Sequence, residues 1–427
     1  MSALDLGPYP TAPGHDEAVK LDGDDPLVDF RDRYVFDDPE LIYLDGNSLG
    51  RLPHRGFEIV EGVVGTQWGN RLIRSWNEGW WELQLVLGDR LAPLVGAAAG
   101  EVIISDSTSV NLYKLAMAAM KSRPGRAKMI TDDLNFPSDV YVLRGVAAAC
   151  GAKLEIVPSD GMSVPLDRLE RALNRETALV SLSHTVFKSG YTYDLAAITE
   201  MAHRAGAMVL WDLSHSVGAI PIALNAAGVD LAVGCTYKYL NGGPGAPAFL
   251  YVRSDLQEDL VNPIPAWWAH AEPFAFDLEF RPVPGIRRFH TGTMPIISLA
   301  AIEAGLEDVA AAGIERLREK SVSLGEFLIA QWEQHLAELG FALASPRRPE
   351  HRGSHISLAH RDGWAITRAM IETGKVIPDF RAPDTLRLGL APLYTTHLEV
   401  HTAVHRIRSI VETGMHQGFG DTRLTVT

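Results

Sequence analysis

The sequence predicts an α/β fold, with a large domain whose mostly parallel sheet lies between helices and a small α+β domain at the C-terminal end. Three observations carry this. Seven short apolar runs lie between about 90 and 252: EVIIS, AKMITDD, KLEIVPS, TALVSLSH, AMVLWDLSH, DLAVGCT and AFLYV. Helical patterns separate several of them, at VNLYKLAMAAMKSR, LDRLERALN and LAAITEMAHRAGA. Strands that are apolar throughout and alternate with helices pair in parallel and are covered on both faces.

The remaining elements follow in order. Residues 1 to about 40 read as loosely structured, and 1–45 are assigned as an extension packing on the rest. The large domain takes 46–310 and the small domain 311–427. Pro and aromatic residues crowd 262–295, which predicts a long irregular excursion of the kind that often carries function. A long helical stretch follows, broken at Gly313. The tail alternates FALASP, SHISLAH, a helix near WAITRAMIETG, an extended LRLGLA and a last helix near HLEVHTAVHRIRSIVETG. There is no internal repeat.

The bulk numbers narrow the class. At 427 residues the chain is long for one core, and 46% apolar with 22% charged residues is an ordinary globular balance. A formal charge of −14 argues against nucleic acid as a partner, since phosphates require clustered Lys and Arg. The two cysteines, Cys150 and Cys235, have no neighbours at metal-ligand spacing, so no metal site is expected. The acidic, Pro-rich start does not read as a signal peptide, and no apolar run reaches membrane-spanning length. A cytoplasmic setting is the expectation.

In an open parallel sheet, ligands bind beyond the carboxyl ends of the strands. After EVIIS comes DSTSVN, which opens a helix; its hydroxyls either cap that helix or, with the free backbone N–H groups, form an anion site. After AKMITDD comes LNFPSD, where Phe136 is either a buried aromatic before a turn or a flat plate for an aromatic ligand. Asp212 ends the run AMVLW, and a buried carboxylate there needs a partner, either a structural Arg or a protonated ring nitrogen. Lys238 ends the next run, twenty-six residues on, between two tyrosines and before GGPG. It either snorkels to water or serves as an amine nucleophile. Together, a phosphate cradle, an aromatic plate, a carboxylate and a lysine that forms an imine make up a pyridoxal 5′-phosphate site.

The fragments YLDGNSLG (43–50), LIRSWNEGW (72–80), STSVNLYK (107–114), NFPSD (135–139), WDLSHSVGA (211–219), GCTYKYLNGGPGAPAFLYV (234–252), GTMPI (292–296) and LRLGLAPLY (386–394) resemble the kynureninase family. Those are fold-type-I pyridoxal-phosphate enzymes, similar to class V aminotransferases. The resemblance implies that Lys238 carries the cofactor imine, Asp212 faces the pyridine nitrogen and Phe136 stacks on the ring. Thr108, Ser109 and Tyr237 would hold the phosphate, with Asp139, Ser183 and His215 also lining the cofactor. Trp267 and Thr293 match positions reaching in from a neighbouring subunit, which implies a homodimer. Arg387 would pair with the substrate α-carboxylate, while Asn47, Ser48 and Trp76 match segments near the substrate. The SHTVFKSG stretch (183–190) and Met294 in GTMPI depart from the pattern, and both bear on specificity rather than on the lysine.

The activity so implied is hydrolysis of L-kynurenine to anthranilate and L-alanine in tryptophan catabolism, with Lys238, Tyr237 and Asp212 as catalytic residues. The 3-hydroxylated substrate and a role in NAD biosynthesis stay open, as does the alternative of another class V enzyme such as an aminotransferase. A cysteine desulfurase needs a nucleophilic thiol on a loop after the lysine, and no cysteine follows Cys235. A nicotinamide-dependent dehydrogenase is disfavoured because no G-x-G-x-x-G joins a first strand to a helix.

Overall fold

The computed structural model describes residues 14–420. All seven apolar runs form strands of one seven-stranded sheet. Side by side they are Val102–Ile104, Phe249–Val252, Leu231–Gly234, Met208–Asp212, Thr177–Ser183, Lys128–Asp132 and Lys153–Val157. Every neighbouring pair is parallel except those made by Phe249–Val252, which is antiparallel to both its neighbours.

The continuous apolar character of these runs has a simple cause. Side chains alternate between faces with a period of two, and both faces are covered. Val102, Ile104, Val180, Val209, Trp211, Phe249 and Tyr251 enter one core, and Ile103, Leu179, Leu210 and Leu250 enter the other. The helices Thr108–Ser122 and Pro137–Cys150 close the second core. Lys153–Val157 lies at an edge and is only partly buried, which suits its charged residues Lys153 and Glu155.

Gly313, at φ +80°, separates the helices Ile296–Ala312 and Ile314–His335. Beyond it, a four-stranded antiparallel sheet runs in the order Asp379–Arg381, Thr385–Gly389, His355–Ala359, Ala342–Leu343. Its core includes Leu324, Leu328, Ile356, Leu388, Val404 and Ile407. The last helix, His397–Glu412, starts with a reciprocal Thr396/Glu399 capping box.

The N-terminal residues depart from expectation. His15–Gly23 is a helix rather than loose chain, and Ala18, Ile42 and Leu44 are buried in the core of the C-terminal sheet. Residues 1–13 lie outside the described range. The segment HDEAVKLDG is too polar to show a helical period; tertiary contacts hold it. Asp22 accepts from the backbone N–H groups of His397 at 2.7 Å and Leu398 at 3.0 Å, capping the last helix from outside. Lys320 and Asp25 form a buried pair at 2.6 Å. The excursion 262–295 contains only single turns, at Trp267–Ala269, Pro273–Ala275 and Ile286–Phe289. Asn262 pins it by donating to the carbonyls of Arg288 and His290.

Candidate active site

Four adjacent strands of the large sheet end at one cavity of about 740 Å³, a size ordinary for a cofactor site. Leu231–Gly234 leads to Tyr237 and Lys238, and Met208–Asp212 to Asp212, Ser214 and His215. Thr177–Ser183 ends in Ser183, and Lys128–Asp132 leads to Phe136, Ser138 and Asp139. Val102–Ile104 contributes Asp106 and Ser107 together with the helix start at Thr108 and Ser109.

The lysine turn is held from outside the sheet. Asn241 adopts φ +51° and donates its N–H to the Lys238 carbonyl at 2.9 Å. Gly50 lies directly on this turn, donating to the Tyr237 carbonyl at 2.7 Å. A Cβ on Gly50 would sit 2.5 Å from the Lys238 carbonyl and closer still to Asn241 Oδ1, so only glycine permits the approach. Lys238 Nζ lies 2.9 Å from His215 Nε2. Burial, with the Lys238 and Arg387 cations nearby, holds the His215 imidazole well below its ordinary range, so it faces the lysine uncharged.

Asp212 accepts from the Ser214 N–H at 2.9 Å and the Ser214 hydroxyl at 2.6 Å. Burial raises its carboxyl, and burial plus the Asp212 charge raise the Asp139 carboxyl further. Asp139 Oδ2 is buried without a hydrogen-bond partner among the described residues. Two buried carboxyls facing each other with an unused oxygen suit a ligand that brings a proton on a ring nitrogen. Phe136, partly exposed, offers the flat face beside them. It is aimed by Asn135 Oδ1, which accepts from the Phe136 N–H at 2.9 Å and the Ser183 hydroxyl at 2.6 Å. At the helix start, Ser107 Oγ is a long cap at 3.4 Å from the Val110 N–H, and the Ser109 hydroxyl lies 2.8 Å from that of Ser138. These hydroxyls and the helix dipole suit a phosphate. A pyridine nitrogen, an aromatic ring and a phosphate arm are all accommodated, so these residues fit pyridoxal phosphate.

The opposite wall comes from the C-terminal sheet. Arg387, 1% exposed, donates to the Phe187 carbonyl at 2.7 Å and the Ser48 hydroxyl at 2.9 Å, and pairs with Asp379. With the Asn47 amide turned so that its oxygen faces Arg387, that oxygen accepts from Nε at 2.9 Å. Asp45, beside this group, has its carboxyl pushed up to about 6 by burial and by the Asp379 charge.

Of the fifteen residues expected at the site, Trp76 and Trp267 alone do not line this cavity in their own chain. Trp76 packs against Trp80 and Trp268, with ring centroids 5.3 Å apart in each case. Trp267 lies edge-on to Trp81 and Phe274 and lines a separate surface hollow. Aromatic rings of the excursion and of the 76–81 segment pack on one another, which draws both tryptophans into an aromatic belt. Thr293 lines the cavity of its own chain.

Several further residues around the cavity carry little signal in the sequence. Asp106, at φ +48°, accepts from the Thr291 hydroxyl and from fully buried Lys114, each at 2.7 Å. Lys114 also donates to the Phe289 carbonyl at 2.7 Å, tying the helix start to the segment carrying Gly292 and Thr293. Arg381 lines the cavity as well; its only sequence signal is its two-residue spacing from Asp379.

Comparison with known proteins identifies relatives of the whole chain. A family model for the kynureninase C-terminal domain matches residues 317–407. Kynureninase of Burkholderia pseudomallei (strain 1106a) is 43% identical over 403 residues, covering 93% of this chain and 95% of that protein. The Pseudomonas fluorescens kynureninase is 42% identical over 404 residues, with the same coverage. Among solved structures, the apo cysteine desulfurase of Thermococcus onnurineus NA1 superposes with a TM-score of 0.75 at 18% identity, over 92% of this chain and 98% of that one. The structural likeness shows a shared fold-type-I architecture, and the sequence likeness shows that the chain belongs to the kynureninase family.

Proposed function

We propose that this protein hydrolyses L-kynurenine at its Cβ–Cγ bond, giving anthranilate and L-alanine, with pyridoxal 5′-phosphate in the strand-end cavity. One observation carries the reading: Lys238, Asp212, Phe136 and Arg387 converge on a single cavity in a chain 43% identical to a kynureninase over nearly its whole length.

In this reading Thr108, Ser109 and Tyr237 hold the phosphate, Phe136 stacks on the ring, and Ser183 and His215 line it. Asp212, backed by Asp139, keeps a proton on the ring nitrogen. When bound, the cofactor supplies an electron sink for the substrate carbon skeleton. Arg387, with Asn47 and Ser48, fixes the α-carboxylate and so orients the Cα–H bond. Lys238 is the residue that would hold the cofactor through its ε-amine, and that amine takes the Cα proton of the bound substrate. Neutral His215, 2.9 Å from Nζ, leaves the amine free to accept it. Water adds to the γ-carbonyl, the Cβ–Cγ bond breaks, and its carbonyl carbon leaves as the carboxylate of anthranilate. Tyr237, next to Lys238, delivers a proton to Cβ, and Lys238 returns one to Cα to complete L-alanine.

Trp76 belongs to the substrate side of the site, and Trp267 and Thr293 to the reading of a homodimer. The aromatic belt around Trp76, Trp81, Trp268 and Phe274, with exposed Trp68, Ile73, Phe276 and Leu278 nearby in sequence, supports it: an apolar surface of this kind calls for a partner. No helix among the described residues is long and apolar enough to cross a membrane. A cytoplasmic setting, a place in tryptophan catabolism and the division into 1–45, 46–310 and 311–427 belong to the same proposal.

The test mixes pyridoxal-phosphate-loaded protein with L-kynurenine alone, following anthranilate by fluorescence and alanine by chromatography. Equal amounts of both products without added keto acid are expected. A requirement for a keto acid would instead indicate an aminotransferase, and absence of anthranilate would overturn the substrate assignment.

A further inference from the structure

Arg387 has few donors to spare. Of its five N–H groups, Nε faces the Asn47 oxygen, one on Nη1 serves the Phe187 carbonyl, and Nη2 serves Ser48 and Asp379. One N–H on Nη1 is left, too little for a two-point grip on a carboxylate. Arg381 is the reverse case. Its Nη2 contacts Asp379 Oδ2 at 2.9 Å, its Nη1 reaches the Phe380 carbonyl at 3.2 Å, and its Nε has no partner among the described residues. Its side chain is 34% exposed and lines the same cavity.

The small sheet places these groups together. Asp379 pairs across the hairpin with Arg387, and Arg381 with Thr385. Residues two apart share a face, so Asp379, Arg381 and Arg387 stand on one side of the hairpin. Both guanidinium groups meet the same oxygen, Asp379 Oδ2. Their fields reach the nearby imidazoles: both lower His355 as well as His215, where burial is the larger cause.

The geometry points to Arg381 as a second carboxylate-binding residue: the substrate α-carboxylate bridges Arg387 and Arg381 on the cavity side of Asp379. This rests on the reading of Arg387 given above. Asp379 then holds the two cations side by side, close enough for one carboxylate to span them. Charge-assisted hydrogen bonds from two guanidinium groups exceed what one nearly saturated arginine offers. An amino-acid ligand lacking the carboxylate gains nothing from Arg381.

The experiment compares the holoenzyme with Arg381→Gln, Arg381→Lys and Arg387→Gln. It measures KM for L-kynurenine and competitive inhibition by L-alanine and by L-alaninamide. Arg381→Gln is expected to raise KM and the L-alanine inhibition constant by about tenfold or more. The L-alaninamide constant should stay unchanged and kcat should stay within about twofold, since the group binds rather than reacts. Arg381→Lys should recover part of the loss. An unchanged L-alanine constant in Arg381→Gln, with a raised one in Arg387→Gln, overturns the proposal and leaves Arg381 as a counter-ion of Asp379. If neither arginine variant alters the preference for L-alanine over its amide, the carboxylate reading of Arg387 falls as well. Arg381→Gln keeps the Asp379–Arg387 pair, so a folded variant is expected, checked by its thermal unfolding.

Discussion

The wall of the cavity made by the large sheet draws its side chains from several strand ends. The wall made by the small sheet carries Asp379, Arg381 and Arg387 on one face of a single hairpin. On the first wall, positions depend on the register of strands buried on both faces, as in Ser183 opposite Asp212. On the second, they depend on one antiparallel pairing and on the N-terminal segment laid across it, where Asp45 bridges to Gly389. Groups for bond chemistry therefore sit on the densely packed side, and groups for substrate charge sit where a short hairpin presents them together.

The sharpest way to break this contrast is at Lys238. Lys238→Ala should lower kcat by a factor of at least about a thousand, because a group used at several steps is lost. It should also abolish the long-wavelength absorbance of the lysine-bound cofactor while circular dichroism stays native. Full activity in that variant would remove the large-sheet wall from the chemistry. Asp212→Asn should lower kcat by about a hundredfold or more, since an amide cannot hold a proton on a ring nitrogen. Its signature is a larger fall in kcat than rise in KM. Arg387→Lys should do the opposite, raising KM by roughly tenfold with kcat less affected, as a point charge replaces a planar fork. Comparable losses of kcat in the two variants would erase the distinction between the walls.

Two further tests concern stability. Leu210→Ala, in the core behind Asp212, should cost about 2–5 kcal/mol in denaturant unfolding. Ile356→Val, under the small sheet, should cost about 0.5–1.5 kcal/mol. A test of pH dependence concerns Asp45, whose surroundings include Asp379, Arg381, Arg387 and the Ser48 hydroxyl. Its folded carboxyl is pushed up to about 6 from the ordinary carboxylate range, so the folded state holds the extra proton. The contribution to stability is complete below the unfolded value and drains away as pH rises through about 6. Asp45→Asn should remove that part of the pH dependence, seen by comparing unfolding midpoints at pH 4 and pH 8. An unchanged profile would place the titration elsewhere.

Much of the first wall is legible in the sequence. Continuous apolar runs mark doubly covered strands, and the residues just beyond them are the cavity residues: Asp212, Ser183, Phe136, Lys238. The second wall is less legible. LRLGLA marks a strand, but nothing local says that DFR pairs with it or that Arg381 and Arg387 share Asp379. Lys114 sits inside a recognisable fragment, yet its partners Asp106 and the Phe289 carbonyl lie in separate elements. For Trp76 the fragment points to the substrate, while nothing local indicates its packing on Trp80 and Trp268 within its own chain.

By itself the sequence determined the fold class, the strand set and the strand-end chemistry, because apolar periodicity and the residue following each run are local properties. Tertiary structure alone decided that a polar N-terminal helix caps the last one through Asp22, that Gly50 closes on the lysine turn, and which side of the cavity each arginine meets. The first two depend on contacts between residues far apart in the chain and the third on how the hairpin packs over the cavity, so burial and close approach, rather than local pattern, choose the partner.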